Sequence, residues 1–405
     1  MQNIVIVGAS LAGTRAAQAL RSNGFAGRVT FVGEESELPY DRPPLSKQFF
    51  LGESQREDIR LLTEDDLGRL DLDVRLDTAV VRLDPHARRL HTSRGEIDYD
   101  GLVVATGARP RTLPGTVGGP RIHVLRTAAD AVRLREQIRP GTRLGVLGGG
   151  LLGSEVASSA AALGAEVTVV ERDPAPMSQV LGDLVGGQLA HWHRTHGIDL
   201  RTGTPVMSVV ENLRGGVEVE LPDAVMVFDQ VLVAFGAVPN TEWLEGSGLT
   251  LDDGLVCDEN LFAFQDSVVA AGDVARIRDA HGLLQHRVEH WTNAALQGEA
   301  AATNLLAGRS GALPVRAVPY VWSDQFGSRI EIVGSPRGTD EVEKIWTAAD
   351  GRARLYLYRR EGEVTALVGI NAMRWMVGVR RDLRQMESLT HAVVAQLELN
   401  LTSAS

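Results

Sequence analysis

Leu144-Gly145-Val146-Leu147-Gly148-Gly149-Gly150-Leu151-Leu152-Gly153-Ser154-Glu155 is the stretch that decides the fold. An apolar run enters a glycine-rich turn, and Ser154-Glu155-Val156-Ala157 then begins an Ala-rich helical pattern. Gly148, Gly150 and Gly153 fit G-x-G-x-x-G in the strand–turn–helix setting that a dinucleotide-binding fingerprint requires. The first glycine permits a tight turn, the second lets backbone amides approach a pyrophosphate, and the third lets helix pack on strand. The helix then offers its positive end to the phosphates. A second apolar run, Val167-Thr168-Val169-Val170, ends at Glu171, where an acid can bind ribose hydroxyls.

Working outward, the chain opens on an earlier version of the same pattern. Asn3-Ile4-Val5-Ile6-Val7-Gly8-Ala9-Ser10-Leu11-Ala12-Gly13 leads into an Ala-rich helical pattern and then Val29-Thr30-Phe31-Val32-Gly33-Glu34. Ser10 stands at the middle glycine, and serine is small enough to be tolerated there. Two such patterns imply two dinucleotides. The sentence Leu102-Val103-Val104-Ala105-Thr106-Gly107 recurs as Leu232-Val233-Ala234-Phe235-Gly236, each after its own fingerprint, so the chain reads as an internal duplication. A third run, Val268-Val269-Ala270-Ala271-Gly272-Asp273, ends instead in an acid.

The 405 residues are too many for one ordinary core and suggest two or three domains. No apolar run is long enough to span a bilayer. The first residues read as a buried strand, so no signal peptide is expected before the fold. A single cysteine, Cys257, rules out an internal disulfide and fits a reducing cytoplasm, the expected compartment. It is read as a small core residue in a short strand. The net charge of −11 argues against broad binding of nucleic acid or acidic membranes.

Between the folds, Arg42-Pro43-Pro44-Leu45-Ser46-Lys47 is a stiff loop; it reads equally as a connector with an exposed lysine or as a device that delivers Lys47 to a cofactor. His191, His193 and His196 fall on an expected solvated helix face rather than a metal site. His286 and His290 have the i, i+4 spacing of helical zinc ligands, with no third ligand evident, and no metal is expected. From about Pro319 the texture changes to aromatic-rich strands, Tyr320–Phe326, Arg329–Gly334, Arg352–Tyr358 and Val364–Ile370, closed by a helix.

The paired fingerprints, Ala105-Thr106-Gly107, Gly236-Ala237-Val238-Pro239-Asn240 and Ala271-Gly272-Asp273 together resemble the flavoprotein disulfide reductase superfamily. Arg42-Pro43-Pro44-Leu45-Ser46-Lys47, Val288-Glu289-His290-Trp291-Thr292-Asn293-Ala294 and Val321-Trp322-Ser323-Asp324-Gln325 resemble, within it, the NADH-dependent ferredoxin reductases that feed Rieske dioxygenases and cytochromes P450. The resemblance implies an α/β fold of two Rossmann-like domains, glutathione-reductase-like, plus a C-terminal α+β domain. It places FAD on residues 1–112 and 245–315, NADH on 113–244, and the C-terminal domain, 316–405, at the flavin. Gly8, Ser10, Ala12, Gly13, Glu34, Arg42, Val80, Ala105, Thr106, Gly107, Arg126, Asp273 and Trp291 are the implied FAD residues, with Lys47 near flavin N5. Gly148, Gly150, Leu151, Leu152, Glu171 and Gly236 are implied for NADH, and Glu155 lies near nicotinamide and Lys47. Lys47 and Glu155 are the implied catalytic pair. Ser154 stands where the family often has a bulkier residue.

The relatives that pass electrons to a cysteine pair need two cysteines, and single-cysteine oxidases carry theirs near the Lys47 loop, which has none. Electrons then leave singly to an external carrier or reach oxygen; the resemblance implies a [2Fe-2S] ferredoxin as that carrier, with a downstream oxygenase served indirectly. Glu171 favours NADH over NADPH. Arg287, Arg374, Arg380 and Arg381 are the expected docking patch for an acidic ferredoxin. The alternatives are a rubredoxin or nitrite reductase component, an NADH oxidase, and a redox-sensing interaction protein.

Overall fold

The computed structural model describes residues 1–113, 119–212, 215–316, 318–383 and 388–401. Its contacts divide the chain into two units. The first comprises 1–42, 55–109 and 237–317; the second comprises 43–54, 110–236 and 318–405.

The first unit is built on a six-stranded sheet in the order Phe262–Phe264, Val268–Ala270, Gly101–Val104, Asn3–Val7, Arg28–Val32, Leu72–Arg75. All pairings are parallel except that between the first two strands. Ile4, Val5, Ile6 and Leu102, Val103, Val104 are completely buried. Continuous apolar runs are what a parallel strand covered on both faces requires. The helix Leu11–Ser22 packs against Trp291–Gly311 so closely that a Cβ at Gly298 would sit 2.2 Å from the Ala12 carbonyl oxygen. That approach explains the small residues on both helices. Val80–Asp84, Arg89–Thr92 and Gly95–Asp98 form a separate antiparallel sheet. Cys257 ends a short strand, Leu255–Cys257, and is buried as expected.

The second unit repeats the parallel design in five strands, ordered Asp199–Arg201, Glu166–Val170, Arg143–Leu147, Gln230–Val233, Ile122–His123. It also holds an antiparallel sheet of Tyr320–Gln325, Ser328–Gly334, Glu363–Ile370, Arg354–Arg360 and Glu341–Thr347. Four of those strands are legible in the sequence. Glu341–Thr347 is not, because this edge strand is mostly exposed and carries charges where a buried strand would alternate. Two helices, Met373–Leu383 and Leu389–Leu401, follow in place of the single expected one.

The helix Ser178–Thr195 corrects the reading of the histidine cluster. Leu181, Val185 and Leu189 pack on Ile330, Ile332, Tyr356 and Tyr358 of the antiparallel sheet, and the Tyr358 hydroxyl donates to the Leu181 carbonyl at 2.8 Å. His193 continues that stripe and is fully buried, its Nδ1 2.8 Å from the Leu189 carbonyl oxygen. Burial pulls its pKa down and favours the neutral ring. His286 and His290, by contrast, are not on a helix: they precede Trp291–Gly311, and His290 is its N-cap. No helix among the described residues is long and apolar enough to cross a membrane.

Candidate functional site

The two fingerprints have the same backbone geometry. Gly8 N–H donates to the Val32 carbonyl and Gly148 N–H to the Val170 carbonyl, both at 2.8 Å. Gly8 has φ +118° and Gly148 φ +111°, where only glycine is at ease. A Cβ at Gly8 would lie 2.1 Å from the Ala105 carbonyl oxygen; one at Gly148 would lie 2.3 Å from that of Ala234. The third position is as tight: Gly13 faces the Gly8 carbonyl oxygen at 2.1 Å, and Gly153 faces that of Gly148 at 2.0 Å. A Cβ at the middle position, Gly150, meets no protein atom within 4 Å.

The outer glycines therefore answer to the protein itself. Only something bound at the turn would require the middle residue to be small. This accounts for Ser10 and fits a dinucleotide pyrophosphate at both turns. Each middle residue is the N-cap of its helix, and neither caps it with a side chain, so the first-turn amides point toward the turn.

The acids after the second strands differ. Glu171 accepts from the Gly149 amide at 2.6 Å and the Asp173 amide at 2.8 Å, so it braces the turn. Glu34 is exposed, whereas its neighbour Glu35 accepts from Arg42 at 2.8 Å and from the Tyr40 hydroxyl. Arg42 also donates to Ser10 Oγ at 3.3 Å, so the stiff loop reaches the first turn through this arginine.

In the first unit, Thr106 and Asn240 exchange hydrogen bonds: Thr106 Oγ1 donates to the Asn240 carbonyl at 3.0 Å, and Asn240 Nδ2 to the Thr106 carbonyl at 2.9 Å. Ala105 and Gly107 flank this bonded pair. Asp273 lies in the short helix Gly272–Val274, and Trp291 Nε1 donates to Asp41 Oδ1 at 2.5 Å. Burial pushes the Asp41 pKa up, and that tryptophan bond opposes the shift. Val80 begins its strand in this unit. Arg126 belongs to the second unit, just before the helix Ala128–Gln137. Leu151 and Leu152 open the helix after the second turn, and Gly236 has φ +91° with open space at its Cβ position.

The second unit brings Lys47 and Glu155 together. Lys47 Nζ lies 2.7 Å from Glu155 Oε2, with both side chains largely buried. Ser46 Oγ donates to the same oxygen at 2.5 Å, and Ser323 Oγ donates to Oε1 at 2.6 Å. One turn further along the Glu155 helix, Ser159 Oγ donates to the Ser46 carbonyl at 2.7 Å. The exposed-connector reading of Lys47 fails. A buried ammonium facing a carboxylate with two further donors is a preorganised charge. A cavity of about 360 Å³ adjoins the pair, lined by Lys47, Ser158, Ser159, Gln325, Phe326 and Arg329.

Sequence reasoning missed Ser46, Ser159 and Ser323 as partners of this pair. A compositional signal pointed at Lys47 itself. Of 41 lysines and arginines only two, Lys47 and Lys344, are lysine. A compact ammonium suits this small seat where a planar guanidinium does not.

The expected docking patch needs correction at Arg287. Its side chain is only 6 % exposed, pairs with Asp253 at 3.3 Å and Glu289 at 2.7 Å, and donates to the Asp273 carbonyl at 2.7 Å. It is a structural cation of the first unit. Arg380 lies over the Tyr320 ring at 3.7 Å, and Arg381 pairs with Asp382 at 2.9 Å. No group of three His, Cys, Asp or Glu residues placed to hold a metal occurs among the described residues.

Comparison with known proteins agrees with this geometry. The pyridine nucleotide-disulphide oxidoreductase profile matches residues 2–298, and the reductase C-terminal profile matches 320–405. The chain is 36% identical to rhodocoxin reductase of Rhodococcus erythropolis over 344 residues, 84% of this chain and 79% of that one. It is 34% identical over 382 residues to the ferredoxin–NAD(+) reductase component of the p-cumate 2,3-dioxygenase system of Pseudomonas putida, 93% and 89% of the two chains. The fold superposes on the reductase in the crystal structure of the covalent putidaredoxin reductase–putidaredoxin complex with a TM-score of 0.84 and 30% identity, covering 91% and 90% of the two chains. With both glycine turns, the buried lysine–glutamate pair and a distinct C-terminal sheet in place, this chain belongs to the pyridine nucleotide-disulphide oxidoreductase family and carries its reductase C-terminal domain.

Proposed function

We propose that this chain is an FAD-containing, NADH-dependent ferredoxin reductase of the cytoplasm, passing single electrons to a [2Fe-2S] ferredoxin that serves a Rieske dioxygenase or a cytochrome P450. The observation that carries the reading is a two-dinucleotide fold with a buried Lys47–Glu155 pair and no cysteine pair. Cys257, the sole thiol, is buried, and burial pushes its pKa up to about 12, so it offers no thiolate for disulfide chemistry. Relatives that are a ferredoxin–NAD(+) reductase component of a dioxygenase system and a putidaredoxin reductase support the carrier.

Gly8, Ser10, Ala12 and Gly13 would hold the FAD pyrophosphate, with Glu34, Val80, Thr106, Asp273 and Trp291 lining the rest of that cofactor. Gly148, Gly150 and the amides opening the next helix would hold the NADH pyrophosphate, and Glu171 the ribose. When bound, FAD accepts a hydride from NADH and releases electrons one at a time. Lys47 supplies positive charge where the reduced ring gains negative charge, and Glu155 with its serines keeps that ammonium in place. Glu171 also disfavours the additional phosphate of NADPH.

The test is NADH-driven cytochrome c reduction by the purified yellow protein, with and without a bacterial [2Fe-2S] ferredoxin. Strong dependence on ferredoxin is expected. NADH consumption indifferent to several such ferredoxins would overturn the reductase reading and move the activity to oxygen.

A further inference from the structure

The Glu155 carboxylate is held from two parts of the sequence. Oε2 takes Lys47 and Ser46, both on the stiff loop. Oε1 takes Ser323, on the first strand of the C-terminal sheet. Ser323 is fully buried, and its neighbour two positions on, Gln325, is 1 % exposed and donates Nε2 to Ser323 Oγ at 3.0 Å. That bond occupies a lone pair of the hydroxyl and leaves its proton for Glu155. A second bond joins the same two elements: the Phe326 amide donates to Ser158 Oγ at 2.8 Å, one turn beyond Glu155. The strand Tyr320–Gln325 and its turn are therefore registered against the helix that begins at the second glycine turn.

We infer that Ser323, oriented by Gln325, is a positioning residue for the Lys47–Glu155 pair, so that the C-terminal domain completes the seat of the lysine. A carboxylate gripped at one oxygen can turn about its terminal torsion, which is broad and soft. Gripped at both, it cannot, and Lys47 stays where Oε2 holds it. Removing the Ser323 hydroxyl frees Oε1 in a buried site, a loss that hydrogen bonds to charged groups make large. Ser46 and Lys47 remain, so the pair loosens rather than breaks. The inference rests on reading Lys47–Glu155 as part of the NADH–flavin site, yet it concerns contacts within this chain and can be read without a carrier.

Lys47 and Lys344 are the only lysines, and Lys344 is exposed, which allows a direct readout. The FAD-loaded protein would be acylated with an amine-reactive ester at mildly alkaline pH, and the two lysines followed by mass spectrometry, with Lys344 as internal reference. Lys47 lines the cavity of about 360 Å³. In Ser323→Ala, Lys47 should acylate about tenfold faster relative to Lys344, and Ser323→Thr, which keeps the hydroxyl, should restore protection. In a Glu155→Gln background Ser323→Ala should add little, because both act on one contact. Stopped-flow reduction of FAD by NADH should slow by about tenfold in Ser323→Ala with little change in NADH affinity, and its pH profile should move.

Wild-type Lys47 protection and rates in Ser323→Ala overturn the inference. So does a Ser323→Thr variant as impaired as Ser323→Ala, which would mark the site as packing only. If Ser323→Ala does not fold, Gln325→Leu is the second arm: it must also raise Lys47 labelling, and wild-type labelling there overturns the relay. Failure of the ferredoxin reading leaves every one of these results readable, since no carrier enters the assay.

Discussion

The first and second glycine turns run through the same backbone and differ in what braces them. In both, the outer glycines are fixed by the next strand's carbonyl and by the turn's own carbonyl. At the second turn the middle residue is glycine and Glu171 accepts from the Gly149 amide. At the first turn the middle residue is Ser10, and bracing comes from the loop instead, through Arg42 to Ser10 and Glu35. The lesson is that one motif combines two demands. The protein imposes its ends and a ligand imposes its centre.

The largest effect should come from an end. Gly8→Ala places a methyl into the Ala105 carbonyl at a left-handed φ and should cost about 3 kcal/mol or more. Thermal unfolding should show a large fall in Tm, with Gly148→Ala behaving alike. Near-wild-type stability of either would break the claim that the protein itself requires these glycines.

Gly150→Ala is the next largest and the sharpest contrast. Its Cβ meets no protein atom, so Tm should hold while the Kd for NADH rises by about tenfold. A variant that melts early but binds NADH normally would reverse the assignment of the middle residue.

Glu171→Ala removes the acceptor for two amides and the negative charge at the ribose position. The preference for NADH over NADPH, measured as a ratio of kcat/KM values, should fall by about fivefold. An unchanged ratio would reduce Glu171 to a brace.

Ser10→Gly should have the smallest effect. It deletes one long hydrogen bond from Arg42, so stability should stay within about 0.5 kcal/mol and FAD content should not change. Loss of FAD would mean that the serine hydroxyl is itself a phosphate ligand.

Much of this was legible because it is local. Glycine spacing, apolar strand runs and a following acid are properties of short segments, and they returned the central strands of both sheets, though not Ile122–His123, Asp199–Arg201 or Phe262–Phe264. The stripe Leu181, Val185, Leu189, His193 was present too, at i, i+4 spacing, but His191, Trp192 and Arg194 around it made the helix look solvated. Only the sheet packed against it shows that His193 is core. Arg287 failed for a related reason. Net acidity made an arginine look available, whereas Asp253 and Glu289, 34 and 2 residues away, neutralise it in space. The edge strand Glu341–Thr347 was illegible because exposure removes the alternation that reveals a strand.

The sequence by itself determined the two dinucleotide folds and the lack of a cysteine pair, and left Lys47 open between two readings. Those follow from residue type and near spacing, where backbone conformation and glycine's freedom leave few choices. Only the tertiary structure decided that Ser323, 168 positions from Glu155, completes the lysine's seat, and that Arg287 is spent on its own unit. Hydrogen bonds and ion pairs act over a few ångströms whatever the separation along the chain, so their partners are chosen by packing, which no spacing rule encodes.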